Sequence, residues 1–275
     1  MEPANTSMIA ESVDREERGT AYSLISLMWF VPGFYAPVVA GYLAESYGFH
    51  PVLAILLATE LLAFLIFVAL IRETIAVRRS VDLRALIGSF KEAVKPRFGL
   101  LRFYGAVIID GFAWMLEGIL FGMLMRAYLL TPLQIGILTN VFCVAMALSQ
   151  IPMGKLVDRY GRKRLLIASE VTGALAIVGY MLSRGFPELL VCHGLVGVAA
   201  SAWIPAYQAY ISNAVPEGER ARFIGDLGAL RGLAAFPAPS IGAALFELYG
   251  FRGPMLASLG LSITALLMLT MIGER

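Results

Sequence analysis

Charge is scarce in this chain. Only 15% of its 275 residues are charged, against about 25% in an average soluble domain. Cysteine is nearly absent as well, and Cys143 and Cys192 each lie inside an apolar stretch. Two cysteines so placed give no disulfide framework and no metal-ligand spacing. They read as small buried hydrophobes, and neither a metal nor a cofactor is expected. No HExxH pair and no phosphate-cradling loop is present, which argues against a zinc protease and against an ATP-driven pump. Nor does the chain open like a secretory leader. In place of a basic start and an apolar core it carries Glu2, Glu11, Asp14, Glu16 and Glu17.

What fills the chain instead is apolar sequence, 59% of the residues, gathered in long blocks. Blocks of about 20 apolar residues are long enough to cross a bilayer as helices, so an all-α integral membrane protein is expected. Eight spans are predicted, at about 19–44, 51–71, 103–125, 131–153, 165–183, 187–211, 223–246 and 254–272. Breakers such as Pro51, Pro132, Gly154, Gly185, Pro216 and Pro254 mark their ends. With eight spans, the N-terminus, residues 72–102, 154–164 and 212–222 and the C-terminus share one side, which holds 18 of the 22 Lys and Arg. Arg126, Arg184 and Arg252 lie opposite, and Arg231 falls within a span. The positive-inside rule then predicts a multi-pass protein of the cell membrane with both termini cytoplasmic. Residues 1–71 form one unit, 72–102 a linker and 103–275 a second unit. In the linker, Leu83, Leu86, Ile87, Phe90 and Val94 follow helical spacing, with Arg84, Lys91 and Lys95 elsewhere on the wheel. A basic amphipathic helix on the inner membrane surface fits, as does a helix packed on the cytoplasmic ends of the spans.

An internal repeat ties the two ends together. Shifted by 202 positions, residues 3–49 align on 205–251 without a gap and with fourteen identities. Among them, Ala36-Pro37 meets Ala238-Pro239, and Tyr47-Gly48-Phe49 meets Tyr249-Gly250-Phe251. Residues 205–212 form the cytoplasmic end of a span, so residues 3–10 read as the stump of a matching span. The chain thus resembles a two-repeat protein lacking four spans of its first repeat. Both copies keep one orientation, the parallel arrangement known from the two halves of certain secondary transporters.

Residues 154–164 read GKLVDRYGRKR. Gly154 and Gly161 allow tight turns at helix ends, and Asp158 can cap a helix start. Arg159, Arg162, Lys163 and Arg164 place charge at the inner interface. This stretch resembles the signature loop of the major facilitator superfamily, G-x-L-x-D-R-x-G-R-K-x. REERGTAYS, from Arg15, resembles the loop before that family's fifth helix. The resemblance covers nearly the whole chain and implies a family-type bundle, with helices five and six at 19–71 and a complete six-helix second half at 103–272. It further implies secondary transport by alternating access, with Asp158 and Arg162 gating the cytoplasmic side near Gly19 and Tyr22. In the fifth-helix packing motif Pro37 and Gly41 fit, while Pro32, Ala36 and Ala40 stand where glycines would, so an antiporter assignment does not follow.

Ionisable groups inside spans are costly and invite a functional reading. Asp110 and Glu117, seven apart, fall on nearly one helical face, with Trp114 a turn away. They are the expected proton or cation coupling site; hydrogen bonds to a neighbouring helix are the alternative. Arg231 is placed to meet Asp110, Glu117 or an anionic solute. Asn140, Gln150, Trp203 and Tyr207 are candidate pore-lining groups, and packing is the alternative for the aromatics. Glu60 and Glu170 read as structural, Arg222 with Asp226 as a local i,i+4 pair, and His193 as a hydrogen-bonded helix residue. The expected partners are the lipid bilayer, a small-molecule substrate and protons, with no nucleic acid, because the basic residues follow the membrane face. Three alternatives remain: a non-transporting fragment of a split, mis-started or decayed gene; a half-bundle completed by a second chain or second copy; and, remotely, an intramembrane protease. For the protease, Asp110 and Asp226 lack the usual glycine-rich setting.

Overall fold

A computed structural model describes residues 31–70 and 98–273. Among these residues the chain is helical throughout, with ten α-helices and no strand. They are α1 (Ala36–Tyr47), α2 (Phe49–Leu70), α3 (Leu101–Leu116), α4 (Leu120–Tyr128), α5 (Pro132–Tyr160), α6 (Arg162–Leu182), α7 (Phe186–Ala214), α8 (Arg220–Ala235), α9 (Ala238–Tyr249) and α10 (Arg252–Thr270). Six stretches are long and apolar enough to cross a membrane: Phe49–Leu70, Pro132–Tyr160, Arg162–Leu182, Phe186–Ala214, Arg222–Tyr249 and Arg252–Thr270. The pair α3–α4, bent by 40° at a short break, makes a seventh. The start of the first expected span, the 3–10 stump and the linker helix with Leu83, Leu86, Ile87, Phe90 and Val94 lie outside the described residues, as do Gly19 and Tyr22.

Local chemistry fixes the start of α5. At α5, Thr131 accepts from the Gln134 amide at 3.3 Å, and the Gln134 side chain accepts from the Thr131 amide at 2.9 Å. This reciprocal box satisfies two amides that the helix itself cannot pair, and Pro132 follows where a missing N–H costs nothing. No residue of α2 is buried among the described residues. α1 lies against α5, α5 and α6 against α7, and α10 against α3, α6 and α9.

Two departures from the sequence reading concern α5. The span was expected to stop at residue 153, with an eleven-residue loop after it. The helix instead runs through Pro152 and Gly154 to Tyr160, and α6 starts at Arg162. Gly154 therefore sits inside a helix rather than at its end. The turn is made by Gly161 alone, at φ 89°, a region nearly closed to side-chain-bearing residues. Asp158 lies in the last turn of α5, and α6 has no side-chain cap.

The repeat reappears in three dimensions. α1 and α9 each have 12 residues, start at Ala-Pro and end at a tyrosine. Each is followed by a glycine of positive φ, Gly48 at 79° and Gly250 at 66°. Both helices pack closely. A side chain on Gly41 would press on the backbone of Pro132 and Leu133, and one on Gly242 would meet the Leu116 carbonyl.

The core falls into two clusters. One gathers Phe103, Leu166, Ala206, Tyr210, Phe223 and Leu269 at the basic end. The other gathers Met123, Leu124, Leu138, Tyr180, Leu189 and Met255 toward the opposite end. Between them the helices part.

Candidate functional site

The gap between the two clusters is a cavity of about 390 Å³. α3 contributes Asp110, Trp114 and Glu117; α6 contributes Ser169 and Glu170; α7 contributes Trp203; α8 contributes Arg231; α10 contributes Ser258 and Ser262. Phe142 and Met146 of α5 and Ile177, Val196 and Ile204 supply most of the apolar wall. Three carboxyls, one guanidinium and two indoles thus converge in a mostly apolar chamber, the general form of a small-molecule site.

The polar groups fall into two centres along α3. In the first, Arg231 donates to Asp110 Oδ2 at 2.8 Å. Arg231 crosses α3 over Gly111, where a Cβ would fall on its side chain. The glycine thus leaves room for a cation on α8 to reach the carboxyl of the neighbouring Asp110. Glu170, buried like Asp110, lines the same cavity from α6. In the second centre, at the residue that caps the end of α3, Ser258 donates to Glu117 Oε1 at 2.6 Å. Ser169 is turned away and donates to the Ala199 carbonyl at 2.8 Å.

The sequence-expected residues divide. Asp110, Trp114, Glu117, Trp203 and Arg231 line the cavity. Tyr207 is not among the lining residues; its ring stacks on Phe103 at 5.8 Å and on Trp203 at 6.3 Å. Asn140, expected on the pore, instead donates to the carbonyls of Gly33 and Phe34 at 3.3 and 2.5 Å. It joins α5 to the chain entering α1. Gln150 also stays off the cavity, and its Oε1 is buried without a hydrogen-bond partner. His193 bonds Tyr180 through Nδ1 at 2.6 Å, and Arg222 pairs with Asp226 at 3.8 Å. Glu170 is the main residue that sequence reasoning gave a different role. Its signal was present, a lone carboxyl in a 21-residue apolar helix, but nothing in the sequence shows which face of α6 is enclosed.

The signature residues act at the basic end. Lys163 donates to the Ile272 carbonyl at 2.7 Å, and Arg102 donates to the Met271 carbonyl at 2.9 Å. The end of α10 thereby gains two cations where its carbonyls lack partners. Arg162 reaches the Asn213 carboxamide oxygen, in the amide orientation that satisfies both groups, at 2.5 and 3.1 Å. Arg159 lies over the ring of Tyr160.

A second cavity, about 550 Å³, lies between α1, α2, α4 and α5. Its described lining, including Pro37, Gly41, Phe49, Phe121 and Gly136, has no ionisable side chain. Among the described residues, no group of three or more His, Cys, Asp or Glu is placed to hold a metal ion.

Comparison with known sequences points one way. The family model described as Major Facilitator Superfamily matches residues 1–109 and 103–275. Multidrug resistance protein MdtG of Escherichia coli is 26% identical over 268 residues, covering 94% of this chain and 64% of the relative. MdtG of Enterobacter lignolyticus is 27% identical over 263 residues, covering 93% and 62%. MdtG of Citrobacter koseri is 26% identical over 265 residues, covering 94% and 64%. The chain therefore spans less than two thirds of the length of these relatives.

Proposed function

Because the chain belongs to the Major Facilitator Superfamily, we propose that it serves secondary active transport of a small organic solute, coupled to protons, by alternating access to the cavity between its two core clusters. The observation that carries this reading is the convergence of Asp110, Glu117, Glu170 and Arg231 in one chamber. Ionisable groups are expensive inside a membrane and tend to mark solute and proton pathways. The walls support an amphiphilic solute: Trp114 and Trp203 offer flat apolar surface, and the carboxyls outnumber the one guanidinium. The relatives' name, multidrug resistance, agrees with that class. This reading assigns coupling to Asp110 and Glu117. It places the basic end in the cytoplasm, with the basic signature residues gating that end, and treats residues 1–71, 72–102 and 103–275 as successive units.

The test is proton flux in proteoliposomes containing the whole chain, with ethidium as the solute and a pH indicator inside. Asp110→Asn and Glu117→Gln are each expected to lower ethidium-driven proton flux at least about tenfold, the effect of about 1.4 kcal/mol. Unchanged flux in both variants overturns the assignment.

A further inference from the structure

Two ionisable side chains interrupt the 22 residues of α2: His50 at its start and Glu60 near its middle. A rise of 1.5 Å per residue puts Glu60 about 16 Å from either end, at mid-depth of a helix long enough to cross a membrane. Every residue from Leu53 to Leu70 is exposed, Glu60 included. Among the described residues Glu60 has no hydrogen-bond or ion-pair partner. The hydroxyl of neighbouring Thr59 is committed to the carbonyls of Ile55 and Leu56, at 3.0 and 2.8 Å. α1, which packs on α2, holds no Lys, Arg or His.

Lipid cannot take the partner's role. Hydrocarbon forms no hydrogen bonds, and a carboxyl near the bilayer centre is costly. A glutamate side chain is also far too short to reach headgroups about 16 Å away. Carboxyls at this depth pair with one another or face an enclosed space. α2 encloses none here, since the cavity beside it touches only Phe49 and Val52 of that helix.

We infer that α2 is an interface between two copies of this chain, with Glu60 of one copy hydrogen-bonded to Glu60 of the other. Two copies inserted in the same sense are related by a two-fold axis along the membrane normal, so each residue meets its counterpart at equal depth. The chemistry is self-complementary as well. A protonated carboxyl donates and a carboxylate accepts, so two glutamates sharing one proton satisfy each other. Glu60 also selects the face. Steps of three and four from it reach Leu53, Leu57, Phe64 and Phe67, each more than half exposed. That spacing is the stripe along which two membrane helices cross at about 20°. All other faces of α2 are apolar too, and a single polar residue in such a stripe fixes register and partner. The inference does not rest on the transport reading.

The test uses the whole chain in liposomes, in a background with Cys143 and Cys192 replaced. Donor- and acceptor-labelled copies, tagged at Arg184→Cys, are expected to show energy transfer that falls as lipid is added. Glu60→Leu should weaken association about tenfold. Glu60→Gln, whose amide both donates and accepts, should associate like wild type. Glu60→Leu removes no contact within one copy, and an unchanged melting temperature checks that it folds. A chain that is monomeric at every dilution overturns the inference, as does a Glu60→Leu variant that associates like wild type. A Glu60→Gln variant as weak as Glu60→Leu overturns the hydrogen-bonded pair. Cross-linking locates the seam with Glu60 in place. On oxidation Phe64→Cys is expected to form a disulfide-linked dimer, while Leu62→Cys, about 200° around the helix from Glu60, stays monomeric. Preferential cross-linking of Leu62→Cys overturns the proposed face.

Discussion

Arg231 reaches Asp110 only because residue 111 is a glycine. The guanidinium remains partly open, at 38% side-chain exposure, while its partner is at 4%. That asymmetry sets what each substitution does. Removing Arg231 strands a buried carboxyl. Losing one member of a wholly buried pair costs about 3–5 kcal/mol, and the exposure of Arg231 lowers the expectation to about 2–3 kcal/mol. Arg231→Met should therefore lower the melting temperature of the purified protein by several degrees. Adding Asp110→Asn should return part of that loss, since the two changes act on one pair. A melting temperature unchanged by Arg231→Met would mean that the pair contributes nothing.

At the scale of elements, the turn between α5 and α6 is one residue long. Gly161 adopts φ 89° there, and a Cβ would be strained by about 1–2 kcal/mol. Gly161→Ala should reduce thermal stability by roughly that amount while leaving ethidium binding at the distant cavity intact. Loss of binding at full stability would contradict this separation. The same turn shows what the sequence discloses and what it hides. The glycine and its basic neighbours were legible, and so was the face shared by Asp110 and Glu117, because both follow from residue type and helical period. The continuation of α5 past Pro152 and Gly154 was not. A helix tolerates both residues when neighbouring helices support it, and that support is tertiary. The place of Asn140 was hidden for the same reason. A polar residue in an apolar span must satisfy its hydrogen bonds somewhere, but the sequence does not say whether a cavity or a neighbouring backbone supplies the partner. Asn140 found the carbonyls before α1.

At the scale of the whole molecule, the proposed orientation rests on the spans, the repeat and the charge bias. Lys155 and Arg184 are both exposed and stand near opposite ends of the described bundle. In a background with Cys143 and Cys192 replaced, a membrane-impermeant maleimide applied to intact cells is expected to label Arg184→Cys and to spare Lys155→Cys. The reverse pattern would invert the proposed orientation. The contact of Arg102 with the Met271 carbonyl carries a consequence of a different kind. Residues 99–103 and 271–273 border one small hollow, so the path through α3 to α10 sets out and returns at a single point. In polymer terms it is almost a ring. A few linking residues would close it from residue 273 to residue 99, and new ends could then be opened at another loop without stretching a helix, the geometry that circular permutation exploits.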